Sequence, residues 1–235
     1  MSDITVSPWL SRLVYPLGCY ILLPAYFGKL EIIGRENLPR QGPVLLAPTH
    51  RSRWDALIVP YTAGRWQTGR DLRYMVSANE MRGLQGWVIE RMGGFPIDPK
   101  HPGLSTIRQS IDLLSKGEML VIFPEGDIYR DQPVQPLKAG IGRIAIHAQL
   151  QRQVRESVKV VPMSIHYSQA YPNWGTQVKV KVGTPIDTAD YPSDQSKKSA
   201  RCLTQDLEAA LKDLYENDPA YKPAFSSQNS TAVMS

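Results

Sequence analysis

Along most of this chain, short unbroken apolar runs take turns with longer amphipathic stretches. PVLLAP (43–48), LRYMVS (72–77), EMLVIFP (118–124) and VKVVPMSI (158–165) are rich in branched residues and have the length of strands buried on both faces. TQVKVKVG (176–183) alternates instead, setting Val178, Val180 and Val182 against Lys179 and Lys181, which predicts a strand with one wet face. Between these runs, STIRQSIDLLSKG (105–117) places Ile107, Ile111 and Leu114 on one helical face, with Ser105 as cap and Gly117 as stop. PLKAGIGRIAIHAQL (136–150) and RCLTQDLEAALKDLY (201–215) also read as helices, the second with Leu203, Leu207, Leu211 and Leu214 as its stripe. Strands alternating with helices predict an α/β fold, with a mostly parallel central sheet flanked by helices. Chemistry in such folds gathers at the carboxyl ends of the strands.

Near the N-terminus the pattern changes. LVYPLGCYILLPAYF (13–27) is uncharged but interrupted by Pro16 and Pro24. It falls short of the ~20 apolar residues that span a bilayer, and two prolines break or kink a spanning helix. Asp3 sits where a signal peptide carries positive charge, and no clear cleavage site follows, which argues against secretion. Two arrangements remain, a helical hairpin buried on the domain or a helical segment in the membrane interface. The second is the expectation, with Trp9, Tyr15, Tyr20 and Tyr26 at headgroup depth. The chain then divides into an apolar membrane-associating segment (1–28), an α/β domain (29–218) and a flexible tail (219–235), whose end is small and polar.

Composition narrows the function. With 235 residues, 42% of them hydrophobic, the chain can bury a sizeable core. Cys19 and Cys202 lie too far apart for a metal-ligand pair and are too few for a disulfide framework, so a reducing compartment and no metal site are expected. A formal charge of +5 favours an acidic partner, such as an anionic membrane or a phosphorylated small molecule. No dense basic run or RNA-binding motif is present, so nucleic acid is not an expected partner.

The stretch THRSRWDAL (49–57) carries the first candidate chemistry. His50 and Asp55 are five positions apart, about 140° around a regular helix, so they meet only if the backbone turns between them. Ser52 and Asp55 fit a capping box, which puts His50 just outside a helix and Asp55 in its first turn. Capping and a His–Asp dyad are therefore compatible. Two further polar clusters follow: GGFPIDPK (93–100) after a helical stretch, and FPEGDIYRD (123–131) after a strand. If the strands before these blocks are neighbours, His50, Asp55, Glu125 and Arg130 converge on one cleft.

Read in order, the blocks His50 to Asp55, Gly93 to Asp98, Phe123 to Gly126, and Val161-Pro162 resemble those of the glycerolipid acyltransferase family, which includes 1-acyl-glycerol-3-phosphate acyltransferases. The resemblance covers about residues 30 to 185. It implies an O-acyltransferase of the membrane surface, on the cytoplasmic face. The acyl group would pass from acyl-CoA or acyl carrier protein to the free hydroxyl of 1-acyl-glycerol-3-phosphate, giving phosphatidic acid without a cofactor.

On this reading His50 takes the alcohol proton, and Asp55 fixes the imidazole tautomer. Ser52 lies beside the substrate, and its capping role needs no covalent chemistry. Glu125, Gly126 and Arg130 would bind the acceptor. Two arginines of the family pattern are absent, because Ile128 and Pro99 occupy their positions, and Asp127 replaces a threonine. Arg130, Lys138 and Lys100 are left to face the phosphate, lysine acting as a point charge without arginine's bidentate fork. These departures open the acceptor's identity to another lysolipid or membrane alcohol. A lipid-binding protein without turnover and a thioester hydrolase are the other readings. The acyl chain would lie against Trp87, Val88 and Ile89 or against Val161 to Ile165, where each buried CH₂ is worth about 0.8 kcal/mol.

Overall fold

The structure, a computed structural model, describes residues 6–98, 103–151 and 156–218. Lys100 and the tail from residue 219 lie outside them.

Residues 8–26 form one helical run and not a hairpin: α1 (Pro8–Pro16), a π-helical stretch (Leu17–Leu22) and α2 (Leu23–Tyr26). Pro24 has no N–H to give to the carbonyl four residues back. The π-helical stretch passes the bonding one residue further, with Leu23 N–H reaching Gly18 O, so the run continues through both prolines. Tyr15, Cys19, Leu23 and Phe27, four apart, are buried against the protein. Trp9, Leu13, Leu17 and Ile21, also four apart, face outward and are 55–61% exposed. Of the four aromatics expected at headgroup depth, Trp9 and Tyr20 are exposed, Tyr26 is half-buried and stacks on Trp54 at 4.5 Å, and Tyr15 is buried, so Tyr15 does not sit as expected.

The remaining elements are β1 (Lys29–Ile33), β2 (Val44–Pro48), α3 (Asp55–Ala63), α4 (Arg65–Thr68), β3 (Leu72–Ser77), α5 (Gly83–Arg91), β4 (Gly94–Ile97), α6 (Leu104–Ser115), β5 (Met119–Val121), α7 (Gly140–Gln149), β6 (Lys159–Tyr167), β7 (Gln177–Val182), β8 (Ile186–Asp187) and α8 (Ser196–Glu216). The sheet runs β1-β7-β6-β2-β5-β3-β4, with β8 also paired to β6. Strands β6, β2, β5, β3 and β4 are mutually parallel; β7 is antiparallel to β6, and β1 runs parallel to β7. The mostly parallel sheet flanked by helices is the predicted class.

Three strands went unread in the sequence, β1, β4 and the two-residue β8. In β1, KLEII mixes charge with apolar residues because it is an edge strand, and β4 is only GFPI behind two glycines. Gly93 enters β4 at φ +93°, and a Cβ there would meet Leu72 O at 2.6 Å, so the approach of β4 to β3 needs glycine.

Each central strand divides its side chains between two layers. Leu45 and Ala47 of β2, Leu120 of β5 and Val160 of β6 join α6, α7 and α8 in one core. Val44, Leu46, Met119, Val121, Val161, Met163 and Ile165 join α3 and the N-terminal run in the other. At about 1.5–3 kcal/mol for each fully buried large apolar side chain, these two layers hold the sheet against its chain entropy. The helices α7 and α8 approach closely at Gly142, where a Cβ would lie 2.1 Å from Ala200 O. The expected wet face of β7 is closed: Lys179 and Lys181 both reach the buried Asp218 carboxylate, at 3.1 and 2.6 Å. Helix ends also differ from expectation, α6 being preceded by Gly103 and not capped by Ser105, and α7 starting at Gly140 after an irregular stretch from Pro136.

Candidate active site

Strands β2, β5 and β6 are adjacent and parallel, so their carboxyl ends share one edge of the sheet, and three segments meet there. The first is the loop after β2. Thr49 laces it to β6, its N–H donating to Met163 O at 2.9 Å and its Oγ1 accepting from Ile165 N–H at 2.9 Å. Immediately after, His50 is held at both backbone ends by the loop after β5. Its N–H donates to Glu125 Oε1 at 3.1 Å, and its carbonyl accepts from Tyr129 N–H at 2.8 Å. The backbone then turns, and α3 starts at Asp55.

That turn brings the expected pair together: His50 Nδ1 lies 2.9 Å from Asp55 Oδ2. The same oxygen accepts the N–H groups of Arg51 at 2.7 Å and Ser52 at 2.9 Å, and Tyr167 OH donates to Oδ1 at 2.6 Å. Asp55 is fully buried, whereas the His50 side chain is 20% exposed. The buried carboxylate thus meets four donors at the N-terminus of α3. An ionised Asp55 accepts the Nδ1 proton and leaves Nε2 with the free lone pair. Phe123 stacks on the imidazole at 4.0 Å, which fixes the plane of the ring.

The capping box forms only in part. Asp55 reaches back to Ser52 N–H, but Ser52 Oγ accepts from Trp54 N–H at 3.3 Å, and the helix begins two residues later than a Ser52 cap would place it. Ser52 is buried beneath the dyad, as a turn residue.

Glu125, expected at the acceptor, is 1% exposed and turned inward. Its carboxylate accepts from Arg51 Nη1 at 2.8 and 3.1 Å, from His50 N–H, and from Gln135 N–H at 3.0 Å. The guanidinium of Arg51, itself buried, lies over the Tyr215 ring at 4.3 Å, and Tyr215 stacks on His166 at 4.0 Å. Glu125 thus braces the loops after β2 and β5 against each other and, through Arg51, against the end of α8. Burial holds His166 mostly neutral, its pKa pushed down to about 4.

The remaining expected residues lie nearer the solvent. Gly126 has φ +81°, and a Cβ there would meet the Lys138 stem at 3.0 Å, so glycine lets Lys138 cross this turn. Arg130 lies over the Tyr171 ring at 5.1 Å, in the loop that joins β6 to β7. The structure therefore brings His50, Asp55, Ser52 and Glu125 into one hydrogen-bonded cluster, with Gly126 in the adjoining turn and Lys138 against it. Among the described residues, no group of His, Cys, Asp and Glu side chains could hold a metal ion.

Three participants escaped the sequence reading. Arg51 lay inside the motif, but nothing local indicates that an arginine there is buried. Phe123 opens its block with nothing local to mark it as a partner of the His50 ring. Tyr167 is 112 positions from Asp55, and only the pairing of β6 with β2 brings it near.

Comparison with known proteins agrees with this architecture. A family model described as acyltransferase matches residues 29–166. Over 195 residues the chain is 27% identical to the 1-acyl-sn-glycerol-3-phosphate acyltransferase of Bacillus subtilis, covering 80% of this chain and 88% of that protein. A protein of the same name from Streptococcus pneumoniae is 27% identical over 177 residues, covering 72% of this chain and 60% of the relative. Among solved structures, the 1-acyl-sn-glycerophosphate acyltransferase of Thermotoga maritima superposes with a TM-score of 0.59 at 19% identity, over 86% of this chain and 79% of that one.

Proposed function

This chain belongs to the acyltransferase family, and from that premise we propose that it moves a fatty acyl group from an acyl thioester to the free hydroxyl of a 1-acyl-glycerol-3-phosphate at a membrane surface. One observation carries the reading. The His50 Nδ1 contact with a buried Asp55 at 2.9 Å leaves Nε2 as a proton acceptor at the carboxyl end of the sheet.

The chemistry needs no enzyme nucleophile, because the thioester is already activated. The acceptor hydroxyl attacks the thioester carbonyl as Nε2 takes its proton, and Asp55 stabilises the imidazolium. Collapse of the tetrahedral intermediate breaks the C–S bond. The departing thiolate takes a proton from His50, which restores the neutral imidazole. Arg130 and Lys138 supply the positive charge for the acceptor's phosphate. With Ile128 in place of an arginine, this cluster is thinner than the family pattern, which favours testing a panel of acceptors that includes other lysolipids and a neutral alcohol.

Membrane attachment is part of the proposal. The outward stripe of Trp9, Leu13, Leu17 and Ile21 continues onto Trp66, which meets Tyr20 edge-on at 6.0 Å. An exposed apolar face rimmed by aromatics suits a helix lying in the interface plane. No helix among the described residues is long and apolar enough to cross a membrane.

The test is acyl transfer from a long-chain acyl thioester to lysophosphatidate in vesicles, comparing the parent with His50→Ala. A loss of about 10²-fold or more with the fold intact supports the general base. Ample activity that His50→Ala leaves unchanged overturns it, and activity confined to an acceptor without phosphate overturns the acceptor class.

A further inference from the structure

We propose that Tyr167 is a positioning residue of the dyad, whose hydroxyl fixes the rotation of the Asp55 carboxylate and spreads its charge, and so governs both the orientation and the basicity of His50. The proposal rests on the general-base reading of His50.

The geometry is asymmetric. Three donors, His50 Nδ1, Arg51 N–H and Ser52 N–H, converge on Asp55 Oδ2, and all three come from one loop. Tyr167 alone serves Oδ1 among the hydrogen bonds of the described residues, at 2.6 Å, and it comes from the last residue of β6. A carboxylate held through one oxygen can swing about its Cβ–Cγ bond; held through both, from two elements, it cannot. The two elements are themselves in register, since Thr49 bonds β6 at Met163 and Ile165, one residue before His50 and two before Tyr167. Burial pushes the Tyr167 pKa well above the ordinary tyrosine value, and the Asp55 charge adds to it, so the hydroxyl keeps its proton and remains a donor.

The charge argument has a sign. Each donor draws charge from the carboxylate and weakens its hold on an imidazolium. Removing the Tyr167 hydroxyl concentrates charge on Asp55 and raises the basicity of His50. Arg51, from the same loop, and Glu125, from the loop after β5, are ionisable neighbours of the dyad and pair with each other at 2.8 Å.

Tyr167→Phe tests the proposal in the full-length protein, with His50→Ala measured in parallel. The expected result is a fall in kcat of about 10-fold, an acidic limb of kcat/KM moved up by about half a pH unit or more, and KM for both substrates changed by less than about twofold. A kcat and an acidic limb both unchanged in Tyr167→Phe, with His50→Ala inactive, overturn the proposal alone. So does a loss of activity with an unmoved limb that follows a loss of thermal stability, because a merely structural tyrosine behaves in that way. Full activity in His50→Ala overturns the general-base reading and the proposal with it.

Discussion

Replacing Glu125 by glutamine separates two roles for the same carboxylate. The family resemblance places it at the acceptor, whereas in the structure it is 1% exposed and paired with an Arg51 that is 2% exposed. Its two oxygens accept from Arg51, His50 N–H and Gln135 N–H. A glutamine there loses the charge opposite Arg51. It also turns an NH₂ group toward at least one of those donors, whichever way the amide is flipped. Breaking a buried pair by removing one partner costs about 3–5 kcal/mol, mostly the penalty of leaving the other charge uncompensated. In a chain of this size each kcal/mol lowers Tm by about 2–4 °C, so a fall of roughly 10 °C is expected. Urea and thermal unfolding followed by circular dichroism measure it. The double variant Arg51→Met with Glu125→Met should recover a large part of the loss, since apolar replacement of a buried ion pair is often neutral or stabilising. If Glu125→Gln stays within about 1 kcal/mol of the parent while KM for the acceptor alone rises, the bracing argument is refuted and the carboxylate belongs to the substrate.

Three further outcomes follow from the packing and the charges. The His166 pKa near 4 lies below its unfolded value of 6.5, so as pH falls from 6.5 to 4 the unfolded chain takes up a proton that the native protein refuses. Stability should drop by about 3 kcal/mol over that window, and His166→Phe, which keeps an aromatic ring against Tyr215, should flatten this part of the unfolding-against-pH curve. In Gly142→Ala the new Cβ would lie 2.1 Å from Ala200 O and 2.4 Å from Thr204 Oγ1. The urea midpoint should therefore fall by the equivalent of about 1–3 kcal/mol, despite alanine's better helix propensity. Arg130→Gln should raise KM for a phosphate-bearing acceptor by about 10-fold and leave KM for the acyl thioester unchanged, as steady-state kinetics with each substrate varied would show.

Much of the scaffold was legible because its signals are local. An unbroken branched run such as PVLLAP can hardly be other than a strand buried on both faces, and a leucine stripe at helical spacing in residues 201–215 marks the face that α8 buries. The turn between His50 and Asp55 was equally readable, since five positions on one helix cannot bring the two side chains together. What resisted reading was whatever depends on a neighbour distant in sequence. KLEII becomes an edge strand only because β7 offers it a partner, and Lys179 and Lys181 lose their wet face only because Asp218 closes over them.

The site divides along the same line. Residue type and spacing govern local backbone geometry, so the residues able to carry proton transfer, and the loop-to-helix turn that joins them, are written in residues 49–57. Only the tertiary structure decided that Glu125 turns inward to Arg51, that Tyr167 meets the far oxygen of Asp55, and that the N-terminal run keeps Trp9, Leu13, Leu17 and Ile21 outside while burying Tyr15. Those outcomes follow from strand order and register, which place residues 74 to 112 positions apart within hydrogen-bonding distance, and no short-range pattern records them.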